Sequence, residues 1–253
     1  MSALAAAVAN ADAHNLCLDL REMIRIGDAA MPRGQQKRLG PSEVGHPCAR
    51  KLAFGLMDVP QIGGYNDPLA ALIGTAFHNW LDWAAGQANL SIGRQRWLAE
   101  RKVTIRPGLS GTCDLYDCDT FTAIDHKVPG ATRFKHYTTK GPSWTYRGQA
   151  HLYGAGYIAA GFPVKNVAIH FIPRADARLH HTQVWMEPYN QGIVDWILNR
   201  IDGVETLIEL LHLRDNPAGF QQIPATPDED CRLCPWWNPL APGTEPLQCN
   251  GIE

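Results

Sequence analysis

Asp114 and the pair Asp125 and Lys127 fall within the run GTCDLYDCDTFTAIDHK. Carboxylates hold divalent cations through oxygen, and an ammonium beside them can stabilise charge developing on an attacked phosphate. Metal-dependent phosphodiester hydrolysis needs that combination. Uniting the three residues requires a particular hairpin. Residues 112–118 and 121–127 are rich in β-branched and aromatic types, and Asp119-Thr120 between them fits a tight turn. A two-residue loop at 119 and 120 pairs positions whose numbers sum to 239, so Asp114 faces Asp125. Such neighbours have Cβ atoms ~5 Å apart and repel when like-charged, so a cation should lie between them. Lys127 shares the face of Asp125, while Ile124 and His126 point the other way. Asp-Thr lacks the Asn-Gly signal that fixes a hairpin register, and a slip of one residue would turn Asp114 to the wrong face. By itself an Asp-x-Lys strand also reads as a solvated surface pair.

Gly111-Thr-Cys-Asp114 followed by Ile124-Asp125-His126-Lys127 resembles the core of the PD-(D/E)xK nucleases, and four further segments resemble the RecB-like branch in its expected order. They are Pro41 to Phe54 around Cys48, Gly74-Thr-Ala-Phe-His78, Gln149-Ala-His-Leu-Tyr153, and Cys231-Arg-Leu-Cys234-Pro-Trp with Cys249. The most similar subgroup is the iron-sulfur exonucleases typified by the fourth CRISPR-associated (Cas) protein family and by the nuclease domains of bacterial recombination helicases. The resemblance implies an α/β, restriction-endonuclease-like core, a central mixed sheet flanked by helices, with an iron-sulfur staple joining the two ends of the chain. It implies a metal-dependent DNA nuclease, a hydrolase acting on ester bonds and working as an exonuclease. An endonuclease or resolvase of the same fold, and a non-catalytic DNA-binding iron-sulfur or zinc subunit, are the alternatives. DNA as a single strand or an end is the implied substrate, with recombination, phage or CRISPR-related proteins as partners.

The resemblance assigns Mg²⁺ or Mn²⁺ to His78, Asp114, Asp125 and the backbone carbonyl of His126, with Lys127 acting on the attacking water or the phosphate. Gln149 and Tyr153, one helical turn apart, would line the cleft beside these residues, or serve only in packing. On the helix beginning at Leu69, the apolar stripe through Ile73, Phe77, Trp80 and Ala84 should face the core, leaving His78 in line with the small residues Gly74 and Ala85. Small neighbours permit close approach of another element. Glu100 is a weaker supporting acid.

Seven cysteines and no export signal argue for reduced thiols rather than a disulfide framework. Cys231, Cys234 and Cys249 can reach one metal centre, and the resemblance supplies Cys48 as the fourth ligand. Four thiolates suit either a [4Fe-4S] cluster or a structural zinc; the apolar run Pro235-Trp236-Trp237 and the resemblance favour the cluster. Cys17, Cys113 and Cys118 have no partner pattern and read as buried or free thiols.

The formal charge is −2, yet between Val128 and Ala175 there is no Asp or Glu, while Arg133, Lys135, Lys140, Arg147, Lys165 and Arg174 are all basic. Phosphate binding calls for such a local surface. Its first part, with Phe134, Tyr137, Trp144 and Tyr146 among Arg133, Lys135, Lys140 and Arg147, lacks periodicity and reads as a loop. Such rings could stack bases or cover the core edge. Arg33, Lys37, Arg38, Arg50 and Lys51 form a second basic segment. The amino-terminal run is Ala-rich and helical, without the basic start of a leader, and no apolar run could span a bilayer. A cytoplasmic protein without a membrane segment is expected.

The domain reading is a single nuclease domain over 1–253, divided into a helical part with Cys48 (1–67), the PD-(D/E)xK core (68–215) and the cysteine-cluster segment (216–253). Helices are expected over 2–26, 69–88, 146–160 and 190–214, and strands near 98–106, 111–118, 121–128, 166–173 and 180–187. The Pro-rich tail has too little apolar periodicity to pack without a staple.

Overall fold

A computed structural model describes residues 3–30, 39–62, 67–176, 178–226, 231–240 and 246–251, with residues 3–12 in backbone only. Arg33, Lys37 and Arg38 of the second basic segment lie outside the described residues. The chain divides into two compact units, residues 1–37 with 67–72, and residues 38–66 with 73–253. The smaller contains the helix α1, Ala3–Ala29, whose alanine-rich first half has the highest intrinsic helix propensity.

The larger unit is built on one mixed five-stranded sheet in the order β1 to β5. Its strands are β1 (Trp97–Arg106), β2 (Leu109–Asp117), β3 (Thr122–Lys127), β4 (Asn166–Phe171) and β5 (Gln183–Pro188). β1, β2 and β3 pair antiparallel in sequence, β3 and β4 run parallel, and β5 returns antiparallel to β4. The parallel pair requires a long crossover. The helices α5 (Ala131–Lys140) and α6 (Trp144–Ala159) supply it.

Residues 131–140 therefore correct the expected loop. Without acids or regular apolar spacing the segment gives little amphipathic signal, but Tyr137 is only 7% exposed and stacks on Phe171, centroids 5.2 Å apart. Tertiary packing of that ring fixes the helix where local periodicity does not.

α6 is buried along most of its length, from Gly148 to Tyr157. Its glycines let other elements come close. A Cβ on Gly156 would lie 2.6 Å from Val103 Cγ2, and one on Gly148 would lie 2.9 Å from Ile197 Cδ1. The sheet face carrying Tyr116, Ala123, Val167 and Ile169 packs against this helix.

On the other face lies α4 (Leu69–Ile92), and here the expected orientation is reversed. Phe77, Trp80 and Trp83 are 37%, 57% and 59% exposed. Leu81, Ala84, Ala85 and Ala88 instead border the gap over Leu115, Ile124, His126 and His170. His78 lies three and seven residues before Leu81 and Ala85, on the same face of the helix, and so points inward.

The carboxy-terminal segment packs with α2 (Pro41–Val44), α3 (Ala49–Leu56) and α7 (Gln191–Leu210). Phe54 sits 4.8 Å from Phe220 and 5.5 Å from Trp236, centroid to centroid. Arg50, assigned above to a basic surface, is 6% exposed and donates to the carbonyls of Ile223 and Gln221 at 2.9 and 3.2 Å. It fastens α3 to the tail. Trp236 Nε1 donates to Val59 O at 3.0 Å, so protein contacts already join the two segments. No helix among the described residues is long and apolar enough to cross a membrane.

Candidate metal centre

The pairing of β2 with β3 follows the expected register. Leu115 faces Ile124, Tyr116 faces Ala123 and Asp117 faces Thr122, each pair summing to 239. The turn is wider than two residues, with Phe121 in the left-handed region at φ 56°. The pairing stops at Leu115, so Asp114 and Asp125 stand just beyond the last ladder pair. Where the strands separate, the N–H of His126 donates to Asp114 Oδ2 at 2.6 Å, a charge-assisted bond that fixes the carboxylate.

Three acids and two cations meet at this opening. His78 Nδ1, from α4, lies 3.3 Å from Asp114 Oδ1 and 3.8 Å from Glu100 Oε1. One ligand atom from each of these three residues can be chosen so that all lie within 4.8 Å of one another. Lys127 Nζ is 2.6 Å from Asp125 Oδ2, with the Asp125 side chain only 1% exposed. The imidazolium and the ammonium supply the positive charge that the facing carboxylates demand.

Glu100 owes its position to an unusual backbone. Its φ is +46° within β1, a conformation that costs a non-glycine residue of order 1–3 kcal/mol and persists where the surroundings enforce it. Glu100 lies opposite Asp114 in the β1–β2 ladder, in the gap between the pairs Ala99↔Leu115 and Arg101↔Cys113. Sequence reasoning gave Glu100 a minor place; its one available signal was being the only acid in the strand.

The ionisation of the group follows from burial and charge. The nearby carboxylates of Asp114 and then Glu100 raise His78 to about 10, against burial. Burial works to raise Asp114, but His78, Lys127 and the His126 N–H outweigh it and hold this carboxyl below its ordinary value. Burial, assisted by the charge on Asp114, raises Asp125 to about 6 despite Lys127 and His78. Burial opposes the charge on Lys127, yet Asp125 and Asp114 keep the ammonium above its ordinary value.

α6 places the remaining polar groups. Gln149 Nε2 donates to Tyr153 Oη at 3.3 Å, and Gln149 Oε1 is buried without a hydrogen-bond partner. Tyr153 lies against Gly111 of β2, where a Cβ would come within 3.1 Å of its ring. Burial, with Asp125 nearby, raises the Tyr153 hydroxyl above its ordinary value, so it remains protonated. Lys127 Nζ also sits 4.8 Å from the Tyr146 ring centroid. That cation–π contact restrains the ammonium; Tyr146, expected among rings on a loop, instead begins α6 beside Lys127.

His126 turns its ring to the other face, as expected, where Nδ1 is 3.2 Å from Nδ1 of His170. Burial lowers His126 to about 4. It is the His126 N–H that the structure shows engaged with Asp114.

The residues expected to contact nucleic acid are dispersed. Lys135 and Lys140 are exposed on α5. Tyr137 is stacked in the core, so its ring cannot take a base without leaving Phe171. Trp144 packs edge-on to Trp196 at 5.4 Å, covering the core edge. Arg147 makes a bidentate pair with Glu187 at 2.5 and 2.8 Å, which occupies the fork that a phosphate would use. Arg133 lines a separate cleft.

Cys48, Cys231, Cys234 and Cys249, from three chain segments, line one pocket with Lys51 and Trp237. Cys48 caps α3, its Sγ accepting from Lys51 N at 3.4 Å. Cys234 N donates to Cys231 O at 2.8 Å, and Cys249 N to Trp236 O at 2.8 Å, so local turns bring these residues to one pocket, but no three of the four sulfurs lie within 4.8 Å of one another. Burial raises the Cys234 thiol, with Cys48 and Cys249 adding to the effect. Among the other thiols, Cys113 is buried, Cys118 half-buried and Cys17 exposed.

No family model matches the chain, and no curated protein matches it. Among solved structures it is similar to an alkaline exonuclease from Laribacter hongkongensis, at 12% identity and a TM-score of 0.48 over 72% of this chain and 95% of that one. The same exonuclease in complex with dAMP aligns at 13% identity and a TM-score of 0.48, covering 72% of this chain and 94% of that one. A phage related exonuclease from Haemophilus somnus 129PT aligns at 14% identity and a TM-score of 0.46, covering 66% of this chain and 82% of that one.

Proposed function

We propose that this chain is a divalent-metal-dependent DNA nuclease of the PD-(D/E)xK type, acting as an exonuclease. The observation that carries the reading is the convergence of His78, Glu100 and Asp114 within 4.8 Å, beside the buried pair of Asp125 and Lys127. Carboxylate oxygens and the His78 imidazole, which gives up its proton on ligation, form a donor set suited to Mg²⁺ or Mn²⁺. Such an ion polarises a phosphate and makes bound water more acidic. His78, Glu100, Asp114 and Asp125 are the residues that would hold it, with the His126 carbonyl as a further donor.

The chain's own groups have distinct roles in this reading. Lys127, kept charged by Asp125 and Asp114 and restrained by Tyr146, stabilises the negative charge that grows on the attacked phosphate. Asp114 is held ionised, and its His126 bond fixes where its free lone pairs point. Gln149 Oε1, buried without a partner, is an acceptor able to orient a water molecule, while Tyr153 remains a donor. Lys135 and Lys140 add positive charge for the backbone of the strand.

The four cysteines serve as ligands of a [4Fe-4S] cluster, with structural zinc as the alternative; their common pocket supports either. A cytoplasmic setting fits this role, since thiols stay reduced there.

Incubating end-labelled linear and closed circular DNA with Mg²⁺ or Mn²⁺, beside Lys127→Ala, tests the proposal. Linear strands should shorten while circles survive, and the variant should be inactive. Cut circles would assign an endonuclease of the same fold, and wild-type cleavage by Lys127→Ala would refute the mechanism.

A further inference from the structure

α6 carries two polar pairs on opposite sides. Gln149 and Tyr153 are one turn apart and belong to the metal centre. Arg147 and His151 are also one turn apart, about 200° round the helix from Gln149, and both reach Glu187 on β5. Arg147 Nε and Nη2 donate to its two oxygens at 2.5 and 2.8 Å, and His151 Nε2 lies 2.7 Å from Oε1. Asn190, the amino-terminal cap of α7, donates its backbone N–H to His151 Nδ1 at 3.2 Å. That bond makes Nδ1 the acceptor, so Nε2 carries the proton and donates to Glu187. His151 is 0% exposed, with both ring nitrogens engaged.

Apolar packing gives α6 little directional hold. The hydrophobic effect has no preferred direction, and Gly148, Gly154 and Gly156 offer no side chain to interlock with a neighbour. A Cβ on Gly154 would lie 2.8 Å from Tyr189 Cδ2, so this surface is smooth and closely approached. Such a surface resists rotation less than ridges seated in grooves do. The hydrogen bonds to Glu187 supply what the packing lacks, because their geometry is lost when the helix turns. Burial works to raise Glu187, yet Arg147 and then His151 hold its carboxyl below the ordinary value. The acceptor therefore stays charged, and burial keeps His151 below its own ordinary value despite that charge.

We infer that Glu187, acting through Arg147 and His151, is a positioning residue that fixes the rotation of α6 and thereby aims Gln149 and Tyr153 at the metal centre. The inference rests on the nuclease reading for the reaction it serves. Specifying one register among several apolar alternatives is the best-attested use of a buried ionic group. Here the group also joins β5, the start of α7 and α6 at one carboxylate, on the side of the helix away from the chemistry.

A double-mutant cycle in the full chain tests it. Glu187→Met keeps the length of the side chain and removes both acceptors. Single-turnover cleavage at saturating strand and Mn²⁺ should fall by about 10–100-fold, the scale of a misplacement near 1 Å, with Mn²⁺ affinity unchanged. Glu187→Gln still accepts from His151 and should recover most of the rate. In a Gln149→Ala, Tyr153→Phe background, Glu187→Met should cost no further rate, because its effect passes through those two side chains. An additive loss there, or an unchanged rate in the single variant of an active enzyme, would overturn the inference. Proton–nitrogen NMR of the Gln149 side-chain amide and its contact with the Tyr153 ring reads the same positioning without cleavage. A contact unchanged in Glu187→Met would overturn the inference whether or not the wild type cleaves. Loss of that contact beside an uncleaving wild type would refute the nuclease reading and retain the hold of Glu187 on α6. Should Glu187→Met not fold, His151→Phe, which keeps the ring and the Arg147 pair, replaces it in every arm.

Discussion

His78 Nδ1 on α4 lies 3.3 Å from Asp114 Oδ1 on β2, at the place where β2 ceases to pair with β3. One contact thus joins the helix on one face of the sheet to the carboxylate between its central strands. Replacing His78 by Ala should weaken Mn²⁺ binding by about 10–100-fold, the usual scale for disturbing a metal-ligand shell. Electron paramagnetic resonance titration of free Mn²⁺ would measure it. An unchanged affinity would remove His78 from the ligand set.

Glu100→Gln separates charge from shape. It retains the side chain's size and should leave folding intact, while lowering Mn²⁺ affinity and bringing His78 down from about 10, because its second carboxylate partner is neutralised. Proton NMR of the His78 ring from neutral to strongly alkaline pH would follow this directly; an unmoved titration would contradict the arrangement.

Lys127→Met should lower the cleavage rate by about 10²–10³-fold, the range for losing one preorganised electrostatic group. It also leaves Asp125 without its partner, so the metal-free variant should be less stable by roughly 3–5 kcal/mol. Single-turnover cleavage and urea melts read the two effects separately.

Gly111→Ala tests the packing beneath the site. The added Cβ would meet Pro41 Cδ at 2.7 Å and the Tyr153 ring at 3.1 Å. A proline ring yields little, so a loss of about 1–3 kcal/mol is expected, as for other overpacked cores. Thermal melts would show it.

Asp117 gives a pH signature. Burial tends to raise it, but Arg96, at 2.8 Å through both oxygens, together with Asp119 N–H and Thr120, lowers it to about 2. A depressed carboxyl stabilises the fold above its unfolded value of about 3.9 and loses that contribution as pH falls toward the folded value. Asp117→Asn should therefore be less stable than wild type by on the order of 2 kcal/mol at neutral pH, with the difference shrinking as the solution is acidified through that window. A difference that stayed constant down to about pH 2 would refute the assignment.

The two central strands and their register were legible because side-chain alternation and a short turn constrain them locally. Asp114, Asp125 and Lys127 came out of the same pattern. α5 was not legible: Tyr137 stabilises it through Phe171, a contact between segments that no local window contains. The stripe of Phe77 and Trp80 misled for a related reason. Apolar area alone favours burying those rings, whereas the helix turns the face carrying Leu81 and Ala85 toward the sheet, and His78 lies on that face.

The sequence by itself determined the chemistry available to this protein: two carboxylates and a lysine on paired strands, four cysteines at spacings that can meet, and a long stretch without acids. Tertiary structure alone decided which of these groups assemble. It brought Glu100 beside His78 and Asp114 through a left-handed residue, set Tyr146 beside Lys127, committed Arg147 to Glu187 and Arg50 to the tail, and left Arg232 at an open cleft. Residue types and periodicity act within a few positions, while burial, pairing and charge neutralisation are settled between segments far apart in the chain.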